Sequence, residues 1–255
     1  HMDILEKMQL EMQNGISKED FINLVETERL KIPKDVYLGG VRQVDDFIKS
    51  NKRCLFLAKG PSLCHAETMC KYGHIATVNE ACLKISGTID YAFFFDSSTL
   101  LNSKAAWDRI RLFVLPAMVF GRQINDAPIK INEIDGFPIE RVVTFYKDQQ
   151  DWDNKAEIVA SIQSEELLTT DTAVMGLHFL TMCGYQEFML LGHDGGIGYS
   201  DVPNVIKDRD MSKFRETIEF VAGEICKKYN TSISFYDGKV ISSKYRLNRK
   251  YTRSI

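Results

Sequence analysis

Residues 54–63 read CLFLAKGPSL, an apolar run that stops at Lys59, Gly60, Pro61 and Ser62. A short run with no polar face reads as a strand covered on both sides. The four residues that end it can form a plain strand-to-helix turn. They can also be the tip of a central strand shaped to meet an anion. Gly60 would let a ligand approach the backbone, and Ser62 would open a helix whose free N–H groups favour negative charge. Lys59 would add a mobile cation.

The pattern repeats along the chain. HIATVN (74–79), YAFFF (91–95), LFVLP (112–116), EFMLLG (187–192) and SISFY (232–236) read as further strands. Between them LCHAETMCKYG, SSTLLNSKAAWDRI, DTAVMGLHFLTMCG and MSKFRETIEFVAGEICKKY read as helices, the first and third ending at Gly73 and Gly184. Short apolar strands alternating with helices predict a Rossmann-like α/β domain with a mainly parallel sheet. The expected domain spans 51–255, preceded by a helical region at 2–50, where SKED (17–20) resembles a capping box and Pro33 closes a helix. Residues 121–166 break the rhythm with two prolines, one strand candidate (VVTFY) and a polar run, and are expected to be a lid-like excursion.

Composition sets the broad class. The chain has 255 residues, 44% hydrophobic and 26% charged, enough for one large domain with a sizeable core. His1 ahead of Met2 reads as a tag-cleavage remnant. No apolar run approaches the ~20 residues that span a bilayer, and no signal peptide is visible, so a cytoplasmic protein with reduced thiols is expected. The six cysteines are scattered. Cys64, His65, Cys70 and His74 lie close together, but a helix carrying core cysteines explains them better than a metal, and no metal ligand is assigned. A net charge of −3 gives no reason to expect nucleic acid. After Asp237 the tail is basic (Lys239, Lys244, Arg246, Arg249, Lys250, Arg253), which suits either a solvated tail or peripheral contact with an anionic membrane face.

Ligands of open α/β sheets bind beyond the carboxyl ends of the strands. Four strand ends deliver polar residues there: Lys59 to Ser62, Asn79-Glu80, Asp96-Ser97-Ser98, and His193-Asp194-Gly195-Gly196. The first is neither a Walker A loop nor a GxGxxG turn. Asn79 can read a base or ribose, and Asp96 can accept from ribose hydroxyls. Thr169-Thr170-Asp171-Thr172 precedes another helix, where the hydroxyls and the helix dipole suit a phosphate, although Asp171 serves equally as an N-cap. Gly192 and Gly195 permit close backbone approach; His193 and Asp194 bring acid–base capacity and Tyr199 a phenol. His178, amid leucines and phenylalanine, reads as a core histidine.

The succession KGPSL, VNEA, FFFDSS, TTDTA and CGYQEFMLLGHDGG resembles the bacterial lipooligosaccharide sialyltransferases that use CMP-sialic acid, and the related motility-associated and DUF115-type proteins, over about residues 53–200. The resemblance implies that Lys59, Gly60, Pro61 and Ser62 form a CMP-contacting loop, that Asn79 and Asp96 contact the nucleotide, and that Asp171 and Thr172 stand for a Thr/Ser pair. It implies metal-independent inverting transfer of an acidic sugar (sialic-type or Kdo-like) from a CMP-activated donor to a glycan hydroxyl, as in lipopolysaccharide biosynthesis. No cofactor beyond the donor is expected. The expected partners are a nucleotide sugar and a glycan or lipid-linked glycan, and a homo-oligomer is compatible with the chain. The family has Asn where Lys59 and Asp96 stand, and Gly196 replaces its tyrosine, leaving Tyr199 as a partial substitute. Its catalytic histidine has no counterpart in NVIKDRDMSKF, so His193 or Asp194 would be the base. Two alternatives stand beside this: a pterin pyrophosphokinase-like enzyme with Mg²⁺ between Asp96 and Asp194, and a non-catalytic module keeping the nucleotide-type fold.

Overall fold

Strands buried on both faces can only be laid side by side under helices, and the structure, a computed structural model, does this. It describes residues 52–116, 118–119, 129–131, 134–145, 151, 153–195 and 210–242. The strands are β1 (Arg53–Leu57), β2 (His74–Val78), β3 (Ile89–Phe93), β4 (Ile110–Pro116), β5 (Met118–Val119), β6 (Ile129–Lys130), β7 (Val142–Phe145), β8 (Glu187–Leu191), β9 (Ser232–Phe235) and β10 (Val240–Ser242). The α-helices are α1 (Ala66–Met69), α2 (Ser97–Asn102), α3 (Lys155–Ser164), α4 (Thr172–Met182) and α5 (Ser212–Tyr229).

Eight strands form one sheet in the order β10-β9-β8-β1-β2-β3-β4-β7, and β5 pairs with β6 apart from it. Within the large sheet only the β9–β10 pair is antiparallel. The protein is therefore a single α/β domain with a mainly parallel sheet. From β1 the chain moves outward through β2, β3, β4 and β7, then returns to the other flank of β1 with β8 and β9. The direction of winding thus reverses between β1 and β8, which makes the carboxyl ends of this strand pair the topological switch point.

Alternating side chains fill two cores. Phe56, Val78, Tyr91 and Phe93 face α3, α4 and α5, with Ile158, Val174, Leu177, Val221 and Ile225 packed over them. Leu55, Leu57, Ala92, Phe94 and Phe113 face the other side, under Leu63, Trp107 and Phe137. Phe56 and Phe93 meet edge to face at 6.0 Å, an arrangement that contributes ~0.5–1.5 kcal/mol beyond area burial.

Several expectations are corrected. The helix expected over 63–73 is a 3-10 turn, Pro61–His65, followed by the single turn α1. The helix expected over 97–110 divides at Ser103 into α2 and a 3-10 segment, Lys104–Arg109. Ser103 Oγ donates to Thr99 O at 2.7 Å, and Trp107 Nε1 donates to Leu100 O at 3.2 Å, so side chains take carbonyls near the end of α2. Within the excursion, VVTF joins the main sheet as an edge strand parallel to β4, and α3 packs its Ile158 and Ile162 into the core. The helical region 2–50 and the tail from Lys244 lie outside the described residues. Cys54, Cys82 and Cys226 are buried free thiols and Cys64 is an exposed one; burial pushes the Cys82 thiol up to about 11. Among the described residues no three His, Cys, Asp or Glu side chains gather as a metal site, and no helix is long and apolar enough to cross a membrane.

Candidate functional site

The opening stretch serves to join two strands. Backbone pairing between β1 and β8 continues past the strand ends: Ala58 N donates to Leu191 O and Gly60 N to Gly192 O, both at 2.8 Å. The chains come so close that a Cβ on Gly60 would stand 2.6 Å from Gly192 O and from Asp194 Oδ2. A Cβ on Gly192 would stand 2.0 Å from Ala58 O, and Gly192 has φ +75°. Glycine is imposed at both positions by space, and at Gly192 by conformation as well. Pro61 then begins the 3-10 turn, where its missing N–H costs nothing.

Ser62 completes the junction twice over. Its N–H donates to Asp194 Oδ2 at 2.8 Å, and its hydroxyl accepts from Gly192 N at 2.7 Å. The Asp194 carboxylate therefore sits on the amide that the sequence offers to a phosphate. Gly195, with φ +70°, packs against Arg215, whose Cβ would lie 2.7 Å from an added Cβ.

Arg215, from α5, is the residue that sequence reasoning missed. Its Nη1 donates to His193 O and its Nη2 to Asp237, each at 2.8 Å, and it pairs with Glu219 as well. The guanidinium lies 3.9 Å over the Phe235 ring. This one side chain ties β8's loop to the β9 end. From the sequence it looks like half of an ordinary i, i+4 surface pair with Glu219.

His193 does not present an open imidazole. The residue is 8% exposed, and its ring stacks on Phe56 at 5.1 Å. Burial, with a contribution from Arg215, pulls its pKa down to about 3, so the ring is neutral at pH 7. Its Nε2 has no hydrogen-bond partner among the described residues. His178 is a core histidine, as expected. Its Nδ1 accepts from Leu168 N at 3.2 Å, and burial first, then Lys228, lowers its pKa to about 4.

Lys59, expected as a mobile cation, is 8% exposed, with its Nζ 2.7 Å from Oε2 of Glu80, which is 1% exposed. It is part of a buried ion pair joining the ends of β1 and β2. Glu80 stands in the sequence beside Asn79, yet only the structure shows what it binds. Asn79 adopts φ +52°, and its Oδ1 accepts from Thr99 Oγ1 at 3.1 Å. Thr99 Oγ1 also lies 2.9 Å from the carbonyl of Asp96, the residue that precedes α2. The ends of β1, β2, β3 and β8 are thus linked in a row: Asp194–Ser62, Lys59–Glu80 and Asn79–Thr99–Asp96.

Asp171 caps α4, its Oδ1 accepting from Ala173 N at 2.7 Å and Val174 N at 2.9 Å. Burial raises its pKa while those two N–H groups oppose the rise. Thr172 is buried in the first turn, and the Thr170 hydroxyl has no hydrogen-bond partner among the described residues. Among the described residues no hydrogen bond joins Asp171 or Thr172 directly to the linked row. Gly196 and Tyr199 lie outside the described residues.

The fold and this edge define the class: a Rossmann-like α/β protein whose candidate site lies at the switch point between β1 and β8. No family model matches the chain, and neither does any curated protein. Among solved structures, the chain is similar to the monofunctional α-2,3-sialyltransferase Cst-I from Campylobacter jejuni, with TM-score 0.42 and 14% identity over 81% of this chain and 82% of that one. It is also similar to an α-2,3-sialyltransferase from Campylobacter jejuni in apo form, with TM-score 0.39 and 13% identity over 81% of each chain. Neither likeness carries a statement about donor, acceptor or mechanism to this chain.

Proposed function

We propose that the protein is a glycosyltransferase that moves an acidic sugar, sialic-type or Kdo-like, from a CMP-activated donor to a glycan hydroxyl. The observation that carries the reading is that the ordered loops KGPSL, VNEA, FFFDSS and LLGHDG all lie at the carboxyl-end edge of the sheet, in a row that starts at the switch point. In this reading the Gly60–Ser62 turn and the Gly192–Gly195 loop form the floor. Asn79, its oxygen engaged by Thr99, gives its NH₂ to the base or ribose. The single phosphate falls to the hydroxyls of Thr170, ahead of α4, and Thr172, in its first turn. His193, buried against Phe56 with its pKa pulled down to about 3, is a weak base at neutral pH, and the role of general base is left unassigned. The transfer inverts the anomeric carbon and uses no metal. The partners are a nucleotide sugar and a glycan or lipid-linked glycan.

Calorimetry tests the first step. Saturable CMP binding is expected without divalent metal, weakened by Asn79→Ala, and release of CMP from an activated acidic sugar should follow when a glycan is added. A strict Mg²⁺ requirement with preference for ATP would instead favour the pyrophosphokinase-like reading. No cytidine-nucleotide binding, with or without metal, would remove the transferase reading.

A further inference from the structure

Arg215, at the start of α5, gathers three other parts of the chain around one guanidinium. Nη1 donates to the His193 carbonyl and Nη2 to Asp237 Oδ2, each at 2.8 Å. The group lies 3.9 Å over the Phe235 ring, and its side chain is 12% exposed. A guanidinium carries its donors in one rigid plane, so two partners held at once are fixed relative to each other. Asp237 is held in turn: Lys239 N donates to its Oδ1 at 3.0 Å, and Lys239 pairs with Glu219, as Arg215 does.

The loop after β8 therefore rests on Arg215 at two points, the His193 carbonyl and Gly195, where an added Cβ would stand 2.7 Å from Arg215 Cβ. The neighbour of Asp237 makes a second tie. The Tyr236 ring stacks on His65 at 4.8 Å and 17°, and His65 ends the 3-10 turn that follows β1. Two adjacent residues of the turn between β9 and β10 thus reach both loops of the switch point. Tyr236 meets the turn after β1 directly, and Asp237 meets the loop after β8 through Arg215.

Resting on the nucleotide reading above, we propose that Arg215 is a positioning residue: held by Asp237 and acting through the His193–Gly195 loop, it sets where that loop stands at the ligand-binding edge. Arg215 touches no ligand in this role. The consequence is that the exposed turn between β9 and β10 is coupled to the site, so that a change at Asp237 is felt at the loop after β8.

The test uses the full chain with Arg215→Met and, separately, Asp237→Asn. Methionine suits a helix and keeps an apolar stem on Phe235, but it offers no donor. Three quantities are read: the urea midpoint, the titration of the His193 ring by NMR, and CMP affinity by calorimetry. In the native protein the ring should stay neutral down to about pH 4, its pKa being about 3. In Arg215→Met the freed loop lets water reach the ring, which should titrate above about pH 5. CMP affinity should fall about tenfold, the effect of one charge-assisted hydrogen bond. Asp237→Asn changes a side chain 52% exposed, so the urea midpoint should hold while CMP affinity falls about threefold. A role in fold support alone gives the reverse: a lower midpoint for Arg215→Met, with His193 still neutral and CMP bound as before, and that result overturns the proposal. If Arg215→Met does not fold, Asp237→Asn decides, and native CMP affinity there overturns it. If CMP fails to bind even the native protein, the nucleotide reading falls, and a His193 ring that stays neutral in Arg215→Met removes the positioning role as well.

Discussion

The buried Lys59–Glu80 pair makes the sharpest prediction. A lysine that contacts ligand phosphate can be replaced with loss of affinity and little loss of stability. A lysine that neutralises a carboxylate 1% exposed cannot. Lys59→Met removes the partner at 2.7 Å and leaves Glu80 with an Asn102 amide at 3.5 Å, too long for a good hydrogen bond. Breaking a buried ion pair from one side costs about 3–5 kcal/mol, a large share of the ~5–15 kcal/mol that holds a domain. Glu80→Leu alone should also destabilise, since it removes the carboxylate 2.7 Å from the buried ammonium. The double replacement Lys59→Met with Glu80→Leu should cost far less than the two singles added, because it removes both charges of the pair together. Equilibrium urea unfolding of the four proteins at neutral pH measures this directly. Single costs below about 1 kcal/mol that simply add would refute the ion pair as a structural joint and return Lys59 to the ligand.

Two further outcomes follow from the geometry. His178 and His193 are held down to about 4 and about 3, so each takes up its proton less readily in the folded chain than in the unfolded one. The unfolded state binds more protons below its own value near 6.5, and stability must therefore fall as pH drops from 6.5 toward 4. At pH 5 the loss is about 2 kcal/mol per histidine, and His178→Gln should flatten the slope by about one proton. Urea midpoints between pH 7.5 and 5 test it; midpoints independent of pH would contradict the burial of both rings. Gly192→Ala would place a Cβ 2.0 Å from Ala58 O at φ +75°, and should destabilise the chain by several kcal/mol or prevent soluble expression. A variant that unfolds like the native protein would show that the β1–β8 junction is loose.

The sheet was legible because its strands are apolar on both faces and stop at glycine or polar residues, so period and punctuation agree. Local pattern said less where side chains redirect the backbone. Thr99 and Ser103 look like ordinary helix residues, yet their hydroxyls bond within the segment where α2 gives way to a 3-10 turn. The strand β10 had a signal that was not used: Asp237-Gly238 is a hairpin dipeptide, and Phe235 N donates to Lys239 O at 2.8 Å across it. At the site, the residues were legible and their partners were not. Glu80 lies 21 positions from Lys59, and Asp194 lies 132 from Ser62. A polar residue at a strand end advertises a free donor or acceptor, and nothing local in the sequence says whether the chain itself will take it.

That internal satisfaction bears on how a ligand is recognised. With Ser62 N, Ala173 N, Val174 N and Lys59 Nζ engaged by carboxylates, phosphate has few strong donors left here. In the proposed function, recognition then rests on what remains: the Asn79 amide and the Thr170 hydroxyl. These groups are neutral, so they are good partners for a base and sugar hydroxyls and only weak ones for a phosphate dianion. Cytidine should accordingly keep most of the affinity of CMP, within about tenfold, because one neutral hydrogen bond contributes only ~0.5–1.5 kcal/mol. Ribose 5-phosphate should lose far more. Competition titrations against CMP order the three ligands, and a result in which ribose 5-phosphate competes well while cytidine does not would mean that the internal carboxylates yield to phosphate on binding.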